Sequence, residues 1–375
     1  MKFSEVIGQS DIKQQLRHMA ASGRLPHALL FSGPEGSGKL PMALALATYV
    51  LCPEHGAEEA CGHCNSCAML RKYAHPDLHF AFPVVRAKGQ SGEPRSADFL
   101  PQWRSQLERN PYFGRATWLE QMGVENQQAQ IYTAQGQEIL QSLSLKSSQG
   151  GYKVMIIWLP ELMNPVAANK LLKIIEEPPQ ATLFLLISEA PDKVLGTIVS
   201  RTQRIEFKPL PESLIAAHLQ QARGLQPADA QRLAHLAQGN LVSAEQLLLA
   251  NRQTALFFDR FVQLMRLCYA RKVRDLMEWS EEVASWGREK QKDFLAYCQR
   301  MVRENFVYNF RCPRLTHMEP DEADFAVRFA RFVNERNVIG ISDELAMAQR
   351  DIEQNVNARF VLFDMALHLI VLLLK

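Results

Sequence analysis

The hydrophobic pattern of the first 208 residues alternates between strand-like and helical segments. Three uninterrupted apolar runs are typical of strands buried on both faces, at residues 28–31, 153–158 and 182–188. Helical patterns cover residues 11–21, 39–50 and 166–177, the last with Asn164 as its N-cap and Pro165 in its first turn. Because strands and helices alternate, we predict an α/β domain whose parallel sheet is covered on both faces.

The pattern after residue 208 is helical and contains no strong strand. Residues 212–249 predict short helices separated at Gly224 and Gly239, and the helical pattern continues from residue 253. Apolar residues with i, i+4, i+7 spacing are predicted to face a helical core: Phe257, Phe261, Leu264, Phe325, Phe329 and Phe332. We therefore predict three domains, over residues 1–208, 209–252 and 253–375.

One polar segment, residues 86–130, interrupts the alternation of strands and helices. It contains glycines and prolines together with Trp103, Tyr112 and Trp118. We interpret it as an insertion of one or two helices inside the first domain. Two roles stay open for it: a surface that binds a partner, or an elaboration without a separate function.

Composition favours an ordinary globular protein. Apolar residues make up 47% of the 375 residues and the formal net charge is +2, which excludes a collagen, a low-complexity chain or a disordered one. The small charge disfavours a protein that coats nucleic acid but leaves a local basic patch open. The most apolar stretch, residues 360–374, is shorter than a membrane-spanning helix of about 20 residues. With no signal-like N-terminus, we expect a soluble, cytoplasmic protein with reduced thiols.

A glycine-rich string follows the first predicted strand and opens a helix. The string Gly33-Pro34-Glu35-Gly36-Ser37-Gly38-Lys39-Leu40 nearly fits the phosphate-loop motif G-x-x-x-x-G-K-[ST]. Converging backbone N–H groups, a helix N-terminus and a lysine attract phosphate. The candidate nucleotide-binding residues are therefore Gly33, Gly36, Ser37, Gly38 and Lys39. Leu40 stands where a hydroxyl should coordinate Mg²⁺, and a glycine turn without a ligand is the alternative.

The next strand also lacks the acid with which a phosphate-loop ATPase holds Mg²⁺. The run 153–157 continues into Trp158 and Leu159, and the nearby acid, Glu161, lies about three residues late. Because neighbouring residues of a strand are about 3.3 Å apart, we expect this carboxylate to be misplaced. We therefore predict no intrinsic ATP hydrolysis, with ATP or ADP bound weakly or not at all.

Four of the seven cysteines have the spacing C-x8-C-x2-C-x2-C: Cys52, Cys61, Cys64 and Cys67. Four thiolates suit tetrahedral Zn²⁺, and a site with four protein ligands is structural. Disulfides, an iron–sulfur cluster, and a ligand set in which His55 or His63 replaces a cysteine are the alternatives. The remaining cysteines are predicted to be buried apolar residues: Cys268, Cys298 and Cys312.

Several strings along the chain resemble the clamp-loader branch of the AAA+ family. They are Val6-Ile7-Gly8-Gln9, Leu25-Pro26-His27-Ala28, Ala168-Asn169-Lys170-Leu171-Leu172-Lys173, Glu176-Glu177-Pro178-Pro179 and Ser200-Arg201-Thr202. The last string is similar to the family's Ser-Arg-Cys motif, with Thr202 in place of the cysteine. The resemblance covers about residues 1–250. It implies a RecA-like AAA+ domain with a zinc module at residues 52–67, a helical lid and an all-helical collar for oligomerisation.

The resemblance also implies that the residues for ATP hydrolysis are missing. Trp158 and Leu159 stand where the family has the Asp and Glu of its second ATPase motif. Ser188 stands near the first sensor position. The turn at residues 239–243 corresponds to the site of the second sensor but has no arginine. These differences imply a subunit with degenerate nucleotide-binding motifs.

Arg201, with Ser200 beside it, is implied to act as a trans arginine finger. In the family this arginine reaches the nucleotide of the neighbouring subunit, where a guanidinium binds phosphate oxygens and stabilises the transferring phosphoryl group. The alternative is a surface arginine that pairs with a local acid such as Glu206.

The function implied by the resemblance is that of a non-hydrolysing clamp-loader subunit in the bacterial DNA polymerase III holoenzyme. Its implied partners are ATPase subunits of the tau or gamma type, a delta subunit and, through the complex, the sliding clamp and primed DNA. Two other functions stay open: an active AAA+ ATPase of the tau or gamma type, and a zinc-containing nucleic-acid-binding protein that acts alone. The low net charge disfavours the latter.

Overall fold

The computed structural model describes residues 1–86, 92–123, 128–149, 151–311 and 316–374. The chain divides into two compact units, Met1–Leu248 and Leu249–Lys375. This boundary lies inside one continuous helix, Leu241–Ala270, and so does the boundary predicted at residue 252. The helix contains no glycine or proline, so nothing in its sequence favours a break. The division into three domains stays a prediction.

The first unit contains a five-stranded sheet. Its strands are β1 (Ala28–Ser32), β2 (Leu78–Ala81), β3 (Lys153–Trp158), β4 (Thr182–Ser188) and β5 (Gln203–Glu206). All pairs are parallel, in the order β2-β3-β4-β1-β5. Carboxyl ends of parallel strands meet at one edge, so the segments that follow β1, β3 and β4 are neighbours there.

The predicted parallel sheet is confirmed, and three of its strands match the predicted apolar runs. The side chains of β1, β3 and β4 are buried along their whole length. The pattern did not indicate β2 and β5, because each has only four residues and Ile205 alone is buried in β5. A strand of only four residues is too short for periodicity to distinguish it from a loop.

Helices cover both faces of the sheet. Before residue 200 they are α1 (Ser10–Ala21), α2 (Lys39–Val50), α3 (Asn65–Arg71), α4 (Leu100–Arg109), α5 (Arg115–Gln121), α6 (Thr133–Ser144), α7 (Pro165–Glu176) and α8 (Gly196–Val199). Phe31 of β1 packs into the core on one face, and Leu30 packs into the core on the other. Asn164 caps α7 as predicted, since its Oδ1 accepts the Val166 N–H at 2.8 Å.

The described part of the segment 86–130 belongs to the core of the first unit. It contains α4 and α5, while residues 87–91 and 124–127 lie outside the described residues. Trp103 and Trp118 are fully buried. The Trp103 ring stacks on Phe82, with centroids 4.2 Å apart, and lies 5.3 Å from Trp158. The segment therefore fills space beside the carboxyl ends of the strands.

A small helical core completes the first unit. It is formed by α9 (Glu212–Arg223), α10 (Pro227–Leu236) and the start of α11 (Leu241–Ala270). Gly224 ends α9 in the left-handed region, with φ of +69°, as expected for a helix stop at glycine. Gly239, φ +83°, lies in the turn before α11, and both predicted breaks are confirmed.

The described residues of the second unit are helical and include no strand. After α11 come α12 (Val273–Ala284), α13 (Arg288–Tyr308), α14 (Pro320–Phe329), α15 (Val338–Glu353) and α16 (Ala358–Leu372). The two predicted phenylalanine stripes pack in or against one core. Cys268 and Cys298 are buried as predicted, whereas Cys312 lies outside the described residues. Among the described helices, none is both long and apolar enough to cross a membrane.

Candidate functional site

The phosphate loop lies between the end of β1 and the start of α2. Two of its glycines are required by close contacts. A Cβ on Gly33 would lie 2.4 Å from the Phe207 carbonyl oxygen, and one on Gly36 would lie 2.0 Å from Asn240 Oδ1. Gly36 also has a φ of +71°, a region that L side chains rarely adopt. The sequence of the loop therefore fits a tight backbone turn packed between neighbouring segments.

Lys39 turns back onto its own loop. Its side chain is 4% exposed, and its Nζ donates to the Gly33 carbonyl at 2.8 Å and to the Pro34 carbonyl. Ser37 Oγ also donates to the Pro34 carbonyl, at 2.7 Å. In this arrangement the ammonium group satisfies loop carbonyls and is not directed at an outside phosphate. Leu40, in the position of the missing Mg²⁺ ligand, is buried in the apolar core.

Half-buried carboxylates act electrostatically on the Lys39 ammonium group. Burial lowers the pKa of Lys39 to about 8, and three nearby carboxylates oppose this shift: Glu189, Glu161 and Glu35. Burial also raises the pKa of Glu189 to about 7, against the attraction of Lys39. Negative charge already occupies the surroundings of this lysine, which disfavours the approach of a polyphosphate.

Glu161 follows β3 and does not lie on the strand, and its misplacement for Mg²⁺ stays a prediction. It lies in a short 3₁₀ turn, Pro160–Leu162, and its Oε1 accepts the N–H groups of Glu189 at 2.8 Å and Ala190 at 3.1 Å. The chain turns sharply after β3, where Leu159 adopts the left-handed region at φ +56°, and this turn carries the Glu161 carboxylate to the end of β4. Its Oε1 caps the backbone after β4.

Aromatic residues between α4 and α5 fill the space beside the loop. Tyr112 and Phe113 line a cavity of about 20 Å³ together with Gly38 and Trp158. The Phe113 ring lies 5.3 Å from Trp158, and Tyr112 Oη accepts the Ile7 N–H at 2.7 Å. This volume holds about one water-sized sphere, whereas ligand pockets measure about 300 Å³ or more. The aromatic side chains therefore leave little free volume on this side of the loop.

The turn before α11 is hydrogen-bonded to the phosphate loop. Asn240 Nδ2 donates to Glu35 Oε2 at 3.2 Å, and the Leu241 N–H donates to the Gly36 carbonyl at 3.4 Å. Ser188 uses its hydroxyl locally, because its Oγ accepts the Ala190 N–H at 3.2 Å. An amide thus stands near the loop where the resemblance implies a sensor arginine in active ATPases.

Arg201 follows the short helix α8 and pairs with an acid of α7. Its Nε and Nη2 contact Glu176 Oε2 at 3.0 and 2.9 Å, and its Nη1 donates to the Thr197 carbonyl at 3.0 Å. Ser200 Oγ donates to the same carbonyl at 3.2 Å. The local partner is Glu176 and not Glu206, because helix α7 brings a distant acid close. The Arg201 side chain is 31% exposed, so its guanidinium is accessible.

The four predicted cysteines come together after α2. Their sulfur atoms all lie within 4.8 Å of one another, and three of the pairs are 3.5, 3.8 and 3.8 Å apart. A tetrahedron with Zn–S bonds of about 2.3 Å has sulfur–sulfur edges of about 3.8 Å. The cysteines are not joined as disulfides, whose S–S bond is about 2.05 Å.

Backbone N–H groups surround the cysteine cluster. The N–H of Cys61 donates to Cys52 Sγ at 3.4 Å and that of Gly62 donates to Cys67 Sγ at 3.3 Å. The N–H groups of Cys64 and Cys67 make similar bonds, both at 3.4 Å, to the sulfurs of Cys61 and Cys64. Such donors favour thiolates, so the residues fit a tetrahedral, sulfur-preferring cation.

The cysteine loop also holds the N-terminal segment. Glu59, between Cys52 and Cys61, accepts the N–H groups of Phe3 at 3.0 Å and Ser4 at 2.7 Å. The same segment reaches Tyr112 through Ile7. A chain of direct contacts therefore connects the cysteine loop with the aromatic residues beside the phosphate loop. No sequence motif indicates the roles of Glu59 and Tyr112, because each forms hydrogen bonds with residues far away in the sequence.

Comparisons with known proteins match the first unit. A family model described as DNA polymerase III, delta subunit, matches residues 8–211, more than half of the chain. The delta' subunit of DNA polymerase III from Bacillus subtilis is 31% identical over 56% of this chain and 51% of its own length. The gamma/tau subunit from Mycobacterium tuberculosis is 29% identical over 58% of this chain and 30% of that protein.

The similarity to these relatives is partial. The chain spans about half the length of the delta' relative, and less of the gamma/tau one. Among solved structures, a gamma-subunit-related protein from Thermotoga maritima aligns over 94% of this chain and 97% of its own, with 14% identity and a TM-score of 0.37.

Proposed function

Because the chain belongs to the DNA polymerase III delta-subunit family of AAA+ clamp-loader proteins, we propose that it is a delta-prime-like clamp-loader subunit that does not hydrolyse ATP. The single observation that carries this proposal is the closed phosphate loop. Lys39 is bonded to loop carbonyls, and a cavity of about 20 Å³ remains beside it. Leu40 and Trp158 supply no oxygen for Mg²⁺, which an ATPase of this class requires.

Arg201 is the residue through which this subunit would act on a neighbour. Its guanidinium is accessible and held by Glu176, whose side chain is 57% exposed. An exposed ion pair contributes only about 0–1 kcal/mol, so Arg201 can leave Glu176 at small cost. Directed at the ATP of an adjacent subunit, it would stabilise the charge of the transferring phosphoryl group. Ser200 would position it from the end of α8.

The cysteine cluster is proposed to hold a structural Zn²⁺. The four thiolates would fill the coordination shell, and the ion supplies folding energy and no catalytic chemistry in such a site. An iron–sulfur cluster shares the same ligand type and is the competing assignment. Metal analysis of freshly purified protein separates them: one zinc per chain supports the assignment, and iron with inorganic sulfide contradicts it.

The proposed partners are ATPase subunits of the tau or gamma type and a delta subunit. The complex would load a sliding clamp onto primed DNA as part of the polymerase holoenzyme. The gamma/tau relative favours a second candidate, an active ATPase, because it matches a similar share of this chain. The loss of both Mg²⁺ positions disfavours that candidate.

Nucleotide turnover by the isolated chain tests the choice between these candidates. We expect no Mg-ATP hydrolysis above background and no saturable binding of a fluorescent ATP analogue. Turnover that disappears in Lys39→Met would identify an active ATPase instead. Strong, salt-dependent binding of DNA by the isolated chain would favour a protein that acts alone on nucleic acid.

A further inference from the structure

An aromatic cavity opens on the surface of the second unit. It measures about 240 Å³ and lies between α11, α14 and the end of α16. Four aromatic rings line it: Tyr269, Phe325, Phe329 and Phe332. Phe325 and Phe329 are stacked with centroids 4.8 Å apart, and Tyr269 lies 4.9 Å from Phe332. Because the phenylalanines also pack against the core of this unit, the walls are fixed in place.

The opening of this cavity carries positive charge. Arg266 and Arg328 line it and are exposed to solvent, and the Arg331 guanidinium lies 4.9 Å from the Phe332 ring centroid. Within the described part of the second unit, no salt bridge joins any of these three arginines to an acid. Their guanidinium groups are therefore available to an anionic partner.

The size of the cavity limits what it accepts. Pockets for whole small ligands measure about 300–1,000 Å³, so this one suits a single large side chain. Aromatic side chains that fill such pockets are frequent anchors of protein interfaces. Arginines at a rim favour carboxylates through charge-assisted hydrogen bonds and raise the rate of association.

We propose that this cavity is a docking site for an acidic segment of a partner protein, which inserts one aromatic side chain between the rings. Carboxylates on either side of that side chain pair with Arg266 and Arg328. The proposal concerns the second unit alone and does not depend on the function proposed for the first unit.

A labelled peptide tests the docking site on the full chain. The probe is a short fluorescein-labelled peptide with one central phenylalanine flanked by aspartates, measured by fluorescence anisotropy. We expect saturable binding that weakens about tenfold or more when the phenylalanine is replaced by alanine, or the aspartates by asparagines. Added salt should weaken binding as well, because the rim contacts are ionic.

Charge-reversal variants locate the binding. Arg266→Glu with Arg328→Glu should weaken binding about tenfold or more. The matched control is Arg274→Glu with Arg288→Glu, which makes the same change of charge at two exposed arginines outside the cavity. Circular dichroism and thermal unfolding establish that both variants are folded. Absence of saturable binding up to about 1 mM, unchanged binding of the alanine peptide, or an equal loss in both double variants would overturn the proposal.

Discussion

At the residue scale, Lys39 and Glu189 share a buried environment that opposes the charge of both. The pKa of Lys39 is lowered to about 8 and that of Glu189 is raised to about 7, each chiefly by burial. In a working phosphate loop the lysine faces the charge of bound phosphates. Here protein carbonyls and carboxylates take that place, so the charge of Lys39 is compensated within the chain.

The raised pKa of Glu189 predicts a pH dependence of stability. Between about pH 4.5 and 7 the folded state binds more protons than the unfolded chain, so this group makes the free energy of unfolding fall as pH rises. In Glu189→Gln the free energy of unfolding should fall less steeply with rising pH. Urea unfolding at several pH values across this window measures the slope. Glu206→Gln, at an exposed carboxylate of β5, is the control and should keep the wild-type slope. Equal slopes in the wild type, Glu189→Gln and Glu206→Gln would contradict the raised pKa of Glu189.

Individual site residues were predictable where a short motif carries them. The phosphate loop and the four cysteines follow from local spacing, and the structure brings each set together. Arg201 does pair with an acid of its own chain, as the alternative to the finger role expected, but this acid is Glu176 and not the example Glu206. Glu189 and Tyr112 were missed, because their contacts with the site depend on the sheet order and on packing between distant segments.

At the scale of elements, long apolar strands and capped helices were predictable, and strands of four residues were not. β3, β4 and α2 have the predicted bounds, and α7 begins beside its predicted cap. The packing of α4 and α5 beside the phosphate loop was not predictable, since a polar, glycine-containing segment gives no periodic signal. Its buried tryptophans show that aromatic content was the informative feature.

The segment between α4 and α5 should contribute measurably to stability. Phe113 is 6% exposed and packs against Trp158. Phe113→Ala should lower the free energy of unfolding by about 3–5 kcal/mol, because it leaves a cavity in a packed aromatic cluster. Phe360→Ala is the matched control at a side chain that is 67% exposed, and it should change little. A similar effect of the two substitutions in denaturant unfolding would contradict the described packing.

The cysteine loop should order the N-terminal segment. If the four thiolates hold a metal ion, its removal by a chelator should release Glu59 and with it the Phe3 and Ser4 N–H groups. Hydrogen exchange of these amides should become faster, whereas amides of α13 in the second unit serve as the internal control. If the Phe3 and Ser4 amides stay equally protected after verified metal loss, the metal-bound cysteine loop does not order the N-terminal segment, and the prediction is contradicted.

At the scale of the whole molecule, an α/β unit with a closed phosphate loop is joined in sequence to a helical unit. The net charge of +2 agrees with a chain that acts mainly through proteins and not by gripping DNA alone. The α/β class could be predicted from the alternating patterns. The limits of the two units could not, because α11 runs without a break past residue 252.

The central claim is that this chain promotes ATP hydrolysis on a neighbour while binding no nucleotide itself. The most direct measurement is the steady-state, DNA-stimulated ATPase rate of a reconstituted clamp loader that contains the wild-type chain, Arg201→Ala or Lys39→Met. We predict that Arg201→Ala lowers turnover at the adjacent site by about 10³-fold or more, and that Lys39→Met leaves the rate unchanged. The opposite result, a normal rate with Arg201→Ala and a loss with Lys39→Met, would contradict the account.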